Sequence, residues 1–209
     1  VLKMAHNKEI PGSKIANQWR FLKSMIDEWI AVKMKNPRKS ELGGLLSDNI
    51  NLVPLERLLD PGFVIMDLKP APKEDILVAL VGPLVEDGQI REKGDYIRRL
   101  LAREELLSTG IGKGVALPHI RDPRQLSIEK PAVVVGICRQ GTDFRAIDGG
   151  KTYLFFLICT DSEILHLRVI AKLNRLLNAE ESVSRIISAA SEDEVIHIIL
   201  ELEKASTAA

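Results

Sequence analysis

Gly110-Ile-Gly-Lys-Gly-Val-Ala-Leu-Pro-His119 joins a glycine-punctuated turn to a short apolar run and ends on a histidine directly behind a proline. Pro118 locks its own φ and biases Leu117 toward extended backbone. Residues 115–117 are therefore expected as a strand, with His119 held at its end instead of on a swinging loop. Histidine is the side chain best suited to exchange a proton or act as a neutral nucleophile near pH 7.

Elements of both kinds alternate around this stretch. Residues 63–68, 132–138 and 153–159 read as further strands, the last two apolar nearly throughout, as expected for strands covered on both faces. Helices are expected over 55–59, 73–85 (with Pro72 suited to a helix start), 94–107, 163–177, 182–189 and 191–203. Ser191, three residues before Glu194, forms a capping-box pattern. Strands interleaved with helices predict an α/β fold, a three-layer sandwich of a mixed β-sheet flanked by helices, over residues 50–204.

The first fifty residues differ. The chain has 209 residues, 45% apolar and 28% charged, enough for one ordinary domain and a small one. Its formal net charge of zero conceals a segregation: residues 1–40 carry nine Lys or Arg against three Asp or Glu, and the remainder is acidic. A basic end on an acidic body implies an anionic partner for that end, with nucleic acid the candidate. Residues 1–8 read as the end of a helix, and Ile10-Pro-Gly-Ser13 as a turn. A short ribbon follows over 14–21 with Asn17 at its tip, then a helix over 22–34 on the spacing of Leu22, Met25, Ile26, Trp29, Ile30 and Met34. Residues 1–35 thus form one segment and 36–49, with Gly43-Gly44, a linker. The start at Val1, within an apparent helix, reads as a fragment of a longer protein. With no membrane-length apolar run or signal segment, and with Cys138 and Cys159 in apolar runs as buried free thiols, a cytoplasmic setting is expected. Neither cysteine has a neighbouring histidine in sequence, so no metal is expected, and no cofactor is implied.

Gly110, Gly112 and Gly114 beside Lys113 invite a nucleotide-loop reading, which fails. A P-loop needs glycine where Leu107 stands and Ser or Thr where Gly114 stands. A dinucleotide fingerprint needs glycines that follow a strand and open a helix, whereas these follow a helix and lead into a strand. Among the other histidines, His197 in Val-Ile-His-Ile-Ile is expected to pack on the last helix and His6 belongs to the basic segment. His166 lies near the start of the helix after the 153–159 strand, where α/β sites assemble and anions are favoured, so it and His119 are expected to meet over a bound phosphate.

The segment Arg103-Glu-Glu-Leu-Leu-Ser-Thr-Gly-Ile-Gly-Lys-Gly-Val-Ala-Leu-Pro-His119 resembles the phosphorylation-site signature of enzyme IIA proteins. These belong to the fructose/mannitol and nitrogen-regulatory branch of the phosphoenolpyruvate-dependent sugar phosphotransferase system. Asp148-Gly149, the strand 153–159 and His166-Leu-Arg-Val-Ile-Ala-Lys-Leu-Asn-Arg-Leu-Leu177 extend the resemblance over roughly 47–204. It implies that His119 accepts a phosphoryl group through a ring nitrogen, that His166 donates a hydrogen bond orienting the first ring or its phosphate, and that Arg103 serves the same site. Thr109, Gly112 and Gly114 are expected to add phosphate donors. Phosphoryl transfer is mainly positioning and charge stabilisation, and a guanidinium forks well onto phosphate oxygens. Without the resemblance, Arg103 reads as an exposed charge on a helix that also carries Arg98, Arg99, Glu104 and Glu105. Two departures stand out: Ile120 where the family usually has a small residue, expected to narrow access, and Phe144-Arg145 where many members show tryptophan and glycine.

Residues 9–30 resemble the C-terminal part of an excisionase-type winged helix related to the MerR group. The resemblance implies that the ribbon is the wing, with Trp19 and Phe21 packed beneath it. Lys14, Asn17, Gln18 and Arg20 would be phosphate contacts, and Lys3, Asn7 and Lys8 the end of a recognition helix. Three readings follow. The favoured one is a phosphohistidine-accepting regulator, taking phosphate from a histidine-containing phosphocarrier protein and coupling it to changed DNA binding or changed contact with another, regulatory protein, in pairs if such modules dimerise. The second is a sugar-transport enzyme IIA that passes phosphate to a permease domain. The third, a non-phosphorylated interaction module, is disfavoured because Arg103, His119 and His166 are all present.

Overall fold

The computed structural model describes residues 54–122 and 128–208, together with two short strands, β1 (Ser13–Ile15) and β2 (Gln18–Arg20). The chain forms two compact units, Val1–Ser47 and Asp48–Ala209. In the first, β1 and β2 pair antiparallel with Lys14 opposite Trp19, the pairing a ribbon over 14–21 requires. Asn17, the expected helix over 22–34, the linker 36–49, and Lys3, Asn7 and Lys8 lie outside the described residues. Lys14, Gln18 and Arg20 lie on the strands.

The second unit is built on β3 (Val64–Ile65), β4 (Gly110–Gly112), β5 (Val115–Ala116), β6 (Ala132–Thr142) and β7 (Thr152–Cys159). The strand order is β3-β6-β7-β5-β4. β3 runs parallel to β6 and β5 parallel to β7, while the β6–β7 and β4–β5 pairs are antiparallel, so the sheet is mixed. Among the described residues, five helices cover it: α1 (Lys73–Glu86), α2 (Lys93–Leu106), α3 (Glu163–Leu176), α4 (Glu180–Ser188) and α5 (Glu192–Ala208).

The apolar runs of β6 and β7 divide by alternation, as the two-residue period of a strand requires. Val133, Val135, Ile137, Leu154, Phe156 and Ile158 pack with Val169, Leu173, Ile186 and Ile199 of α3, α4 and α5. Their neighbours Val134, Cys138, Phe155, Leu157 and Cys159 pack with Leu77, Leu80, Tyr96 and Leu100 of α1 and α2. Two cores on one sheet give the expected three-layer sandwich. Both cysteines are buried and free.

Some elements differ from expectation. The strand expected over 63–68 shrinks to Val64–Ile65, because Pro61–Phe63 winds into a 3-10 turn capped by the Asp60 carboxylate on the Gly62 N–H. The glycines after α2 form a strand as well as a turn: Gly110 pairs with Ala116, and positive φ at Gly112, Lys113 and Gly114 reverses the chain. At Gly110 a Cβ would come within 2.8 Å of the Ala146 backbone, so glycine there permits a close approach. The Ser191–Glu194 cap forms with one shift, since Ser191 Oγ accepts the Glu194 N–H but Glu194 reaches back to the Ala190 N–H. His197, expected to pack, leaves its side chain 73% exposed and pairs with Glu201, while Val195 and Ile199 turn inward.

Candidate active site

Beyond β5 the chain continues along β7. The Ile158 N–H donates to the Pro118 carbonyl at 2.9 Å, and His119 bridges Ile158 in parallel register. The imidazole therefore leaves a backbone held on the sheet, as the proline-locked run predicts. Three residues separate the end of β7 from the start of α3, with Ser162 Oγ capping the Leu165 N–H, and this puts His166 in the first turn beside the strand end. The two rings meet edge to face with centroids 4.8 Å apart.

Arg103 comes from the last turn of α2. Its Nε–H donates to His119 Nε2 at 3.2 Å and its Nη1 to the Leu107 carbonyl at 2.8 Å. On the far side of the ring, His119 Nδ1 lies 2.8 Å from the Leu117 carbonyl oxygen. A carbonyl only accepts, so Nδ1 carries the proton and Nε2 keeps its lone pair toward Arg103. Burial foremost, then the Arg103 charge, lowers the His119 pKa to about 4 against the opposing effect of the Leu117 carbonyl. His166 is lowered to about 3 by burial, then by His119 and Arg103. Both rings are thus neutral at physiological pH, and His119 presents an unprotonated, oriented Nε2. The buried Nδ1 of His166 has no hydrogen-bond partner. A depression of about 370 Å³, lined by Arg99, Arg103, Leu106, Ile120 and Arg121 among others, opens beside the guanidinium.

The structure thus brings Arg103, His119 and His166 together, while the other phosphate-site candidates of the same unit, Gly112, Gly114 and Thr109, stand elsewhere or are otherwise engaged. Gly112 and Gly114 occupy the turn at the opposite end of β5, five or more residues from His119 and roughly 16 Å away along an extended chain. They serve the reversal and are not donors at this site. Thr109 lies nearer but is buried, with both its N–H and its hydroxyl committed to Glu104. Ile120, expected to narrow access, is 3% exposed and belongs to the buried cluster of Tyr96, Leu100, Ala116 and Phe155, so most of its side chain is core and not an exposed obstruction beside His119. Phe144 is likewise buried against Phe155, with ring centroids 5.2 Å apart, and Arg145 holds φ at +54°, a conformation that glycine adopts at less cost. Sequence reasoning missed Glu104, which reads as one more charge on an exposed helix and is 6% exposed. Among the described residues no cluster of His, Cys, Asp or Glu could hold a metal ion, and no helix is long and apolar enough to cross a membrane.

Fold and site together define a three-layer α/β protein that presents a neutral, fixed imidazole nitrogen to a guanidinium and a second histidine. Residues 57–202 match the sequence model of the phosphoenolpyruvate-dependent sugar phosphotransferase system EIIA 2 family, and the chain belongs to that family. It is 30% identical over 152 residues to the fructose-specific EIIABC component of Bacillus subtilis, an alignment covering 72% of this chain and 24% of that protein. The chain thus spans about a quarter of that relative's length. The crystal structure of nitrogen regulatory protein IIA-Ntr from Neisseria meningitidis superposes with a TM-score of 0.61 at 26% identity, covering 68% of this chain and 96% of that one. Enzyme IIA-mannitol from Escherichia coli, solved in complex with phosphorylated enzyme IIB-mannitol, superposes with a TM-score of 0.59 at 25% identity, covering 68% and 97%.

Proposed function

We propose that this chain is a phosphohistidine-accepting protein resembling nitrogen-regulatory enzyme IIA, which takes a phosphoryl group from a histidine phosphocarrier protein onto Nε2 of His119. The observation that carries this reading is the ring's double tether: Nδ1–H on the Leu117 carbonyl and Nε2 facing Arg103 Nε–H. In the transfer, the Nε2 lone pair forms the new N–P bond while the donor's N–P bond breaks and its nitrogen keeps the electron pair. The positive charge gained by the ring is shared with Nδ1–H, which the Leu117 carbonyl already holds. Arg103, now donating to Nε2, is within reach of oxygens placed on that atom, where a guanidinium offers several donors in a fixed fork. The buried Nδ1 of His166, in a ring that meets His119 edge to face, has no hydrogen-bond partner and is free to serve as a further donor or acceptor.

The output we propose is regulatory, with phosphate at His119 altering how the basic segment 1–40 engages DNA. The charge segregation and the β1–β2 ribbon support it. A second reading, transfer onward to a fructose-type permease, is favoured by the 30% identity to the fructose-specific EIIABC component.

Incubation with phosphoenolpyruvate, enzyme I and the carrier is expected to place an acid-labile label on His119 that His119→Ala abolishes. No label under conditions that label a known enzyme IIA refutes the reading, and label surviving His119→Ala assigns the wrong histidine. Mobility shift with DNA, phosphorylated and not, then separates regulator from transporter.

A further inference from the structure

Glu104 follows Arg103 in α2 but faces the other way, into the protein. Oε1 accepts the Thr109 N–H at 2.9 Å and Oε2 the Thr109 hydroxyl at 2.6 Å. Lys73 Nζ, at the start of α1, donates to Oε1 at 2.8 Å and lies 4.7 Å from the centre of the Phe144 ring. None of these groups hydrogen-bonds His119. Their connection to it runs through the backbone. The Thr109 carbonyl accepts the Leu117 N–H at 3.0 Å, and the carbonyl of that same Leu117 accepts Nδ1–H of His119 at 2.8 Å. The segment that Thr109 anchors also contains Leu107, whose carbonyl accepts Arg103 Nη1.

The local sequence explains why a carboxylate is needed. α2 ends without a left-handed cap: Leu107 is fully extended, at φ −168° and ψ 133°, so the exit cannot close on its own backbone as a glycine cap would. Two amides beyond it are satisfied by side-chain acceptors instead. Ser108 supplies one, taking the Gly110 N–H while its hydroxyl donates to the Phe144 carbonyl. Glu104 supplies the other and also takes the Thr109 hydroxyl, two donors that an amide with a single acceptor oxygen cannot both satisfy in this geometry.

We propose that Glu104, charge-balanced by Lys73, is a positioning residue for the phosphoacceptor: through Thr109 it fixes both the Leu117 carbonyl that selects the Nδ1–H tautomer of His119 and the Leu107 carbonyl that aims Arg103. Thr109, expected from sequence to bind phosphate, becomes a relay between carboxylate and ring. The proposal rests on the reading of His119 as acceptor, but one of its tests does not need phosphate.

That test is the tautomer of His119, read by two-bond proton–nitrogen NMR on the full chain labelled with 15N-histidine. In wild type the Nδ1–H form is expected to dominate at pH 7. Thr109→Val, which keeps the shape and removes the hydroxyl, and Glu104→Gln are expected to shift population toward Nε2–H. Thr109→Ser is expected to restore the wild-type spectrum. With phosphorylated carrier as donor, the valine variant is expected to lose roughly tenfold or more in turnover at unchanged KM for the carrier, again restored by serine. A wild-type tautomer in both Thr109→Val and folded Glu104→Gln overturns the proposal, even if transfer is slowed. If Glu104→Gln does not fold, the near-isosteric valine variant decides alone. A wild-type protein that takes no phosphate refutes the acceptor reading, while the tautomer shift still decides for or against the positioning role.

Discussion

Holding two histidines neutral has a cost that acid reveals. His119 titrates at about 4 and His166 at about 3, both below the ordinary 6.5, with burial the main cause in each. The unfolded chain therefore takes up protons near pH 6.5 while the folded one does not, and stability falls as pH drops below that value. The contribution is fully present above pH 6.5 and is lost progressively toward the folded-state values. At pH 5 a group held at about 4 against 6.5 destabilises the fold by about 2 kcal/mol, and one held at about 3 by a similar amount. Neither ring is charged in the folded state at that pH, so the two add to about 4 kcal/mol, a large share of the 5–15 kcal/mol typical of a domain. The assay is urea denaturation followed by circular dichroism at pH 7.5 and pH 5, on wild type and on the double variant His119→Gln/His166→Gln. Carboxylates elsewhere affect both proteins equally, so the quantity to compare is each protein's change between the two pH values. Wild type is expected to lose about 4 kcal/mol more than the variant over this interval. An equal loss in the two proteins would refute the placement of these rings as buried and neutral.

Arg103→Lys keeps the charge but cannot reach both His119 Nε2 and the Leu107 carbonyl, so phosphoryl transfer from the carrier is expected to slow about 10²-fold, with thermal stability little changed. Ile120→Ala removes a core side chain and not an obstruction: denaturation should show a loss of about 2–5 kcal/mol, with the labelling rate of the folded protein unaltered. Lys172→Met strands the Glu203 carboxylate, which the buried Lys172 ammonium and the Leu55 N–H now hold, at a cost of roughly 3–5 kcal/mol. Lys172→Met/Glu203→Leu should recover part of that loss, and failure of the pair to exceed the single variant in stability would argue against a coupled buried ion pair.

What the sequence conveys and what it hides follow from the range of the interactions involved. The two-faced apolar runs of β6 and β7 announce a covered sheet because each residue in them is buried, whichever side it faces. Pro118-His119 announces an immobilised imidazole because proline acts on its immediate neighbours. β4 is obscured because its glycines carry no side-chain pattern: it is a strand by virtue of Ala116 opposite and Ala146 above, and neither is visible from 110–112. Ile120 misleads because adjacency to His119 in sequence says nothing about direction. Successive residues on an extended segment point to opposite sides, and the histidine takes the open one.

Arg103 and Glu104 make the same point on a helix. Their charges continue the pattern of Arg98, Arg99 and Glu105, and composition alone makes both of them solvated surface. One residue of α-helix is about 100° of rotation, enough to send the guanidinium to His119 and the carboxylate to Thr109 and Lys73. A solvated pair at these positions would be interchangeable with any other pair of charges. Here each head group meets acceptors or donors that only its own geometry satisfies. The histidine is held from both sides of α2: by Arg103 at Nε2, the nitrogen proposed to react, and through Thr109 and Leu117 at Nδ1, which must keep its proton for Nε2 to be free. An oriented lone pair at Nε2 is therefore a property of the α2 exit as much as of His119, and the exit is where a substitution distant from the ring would be felt by it.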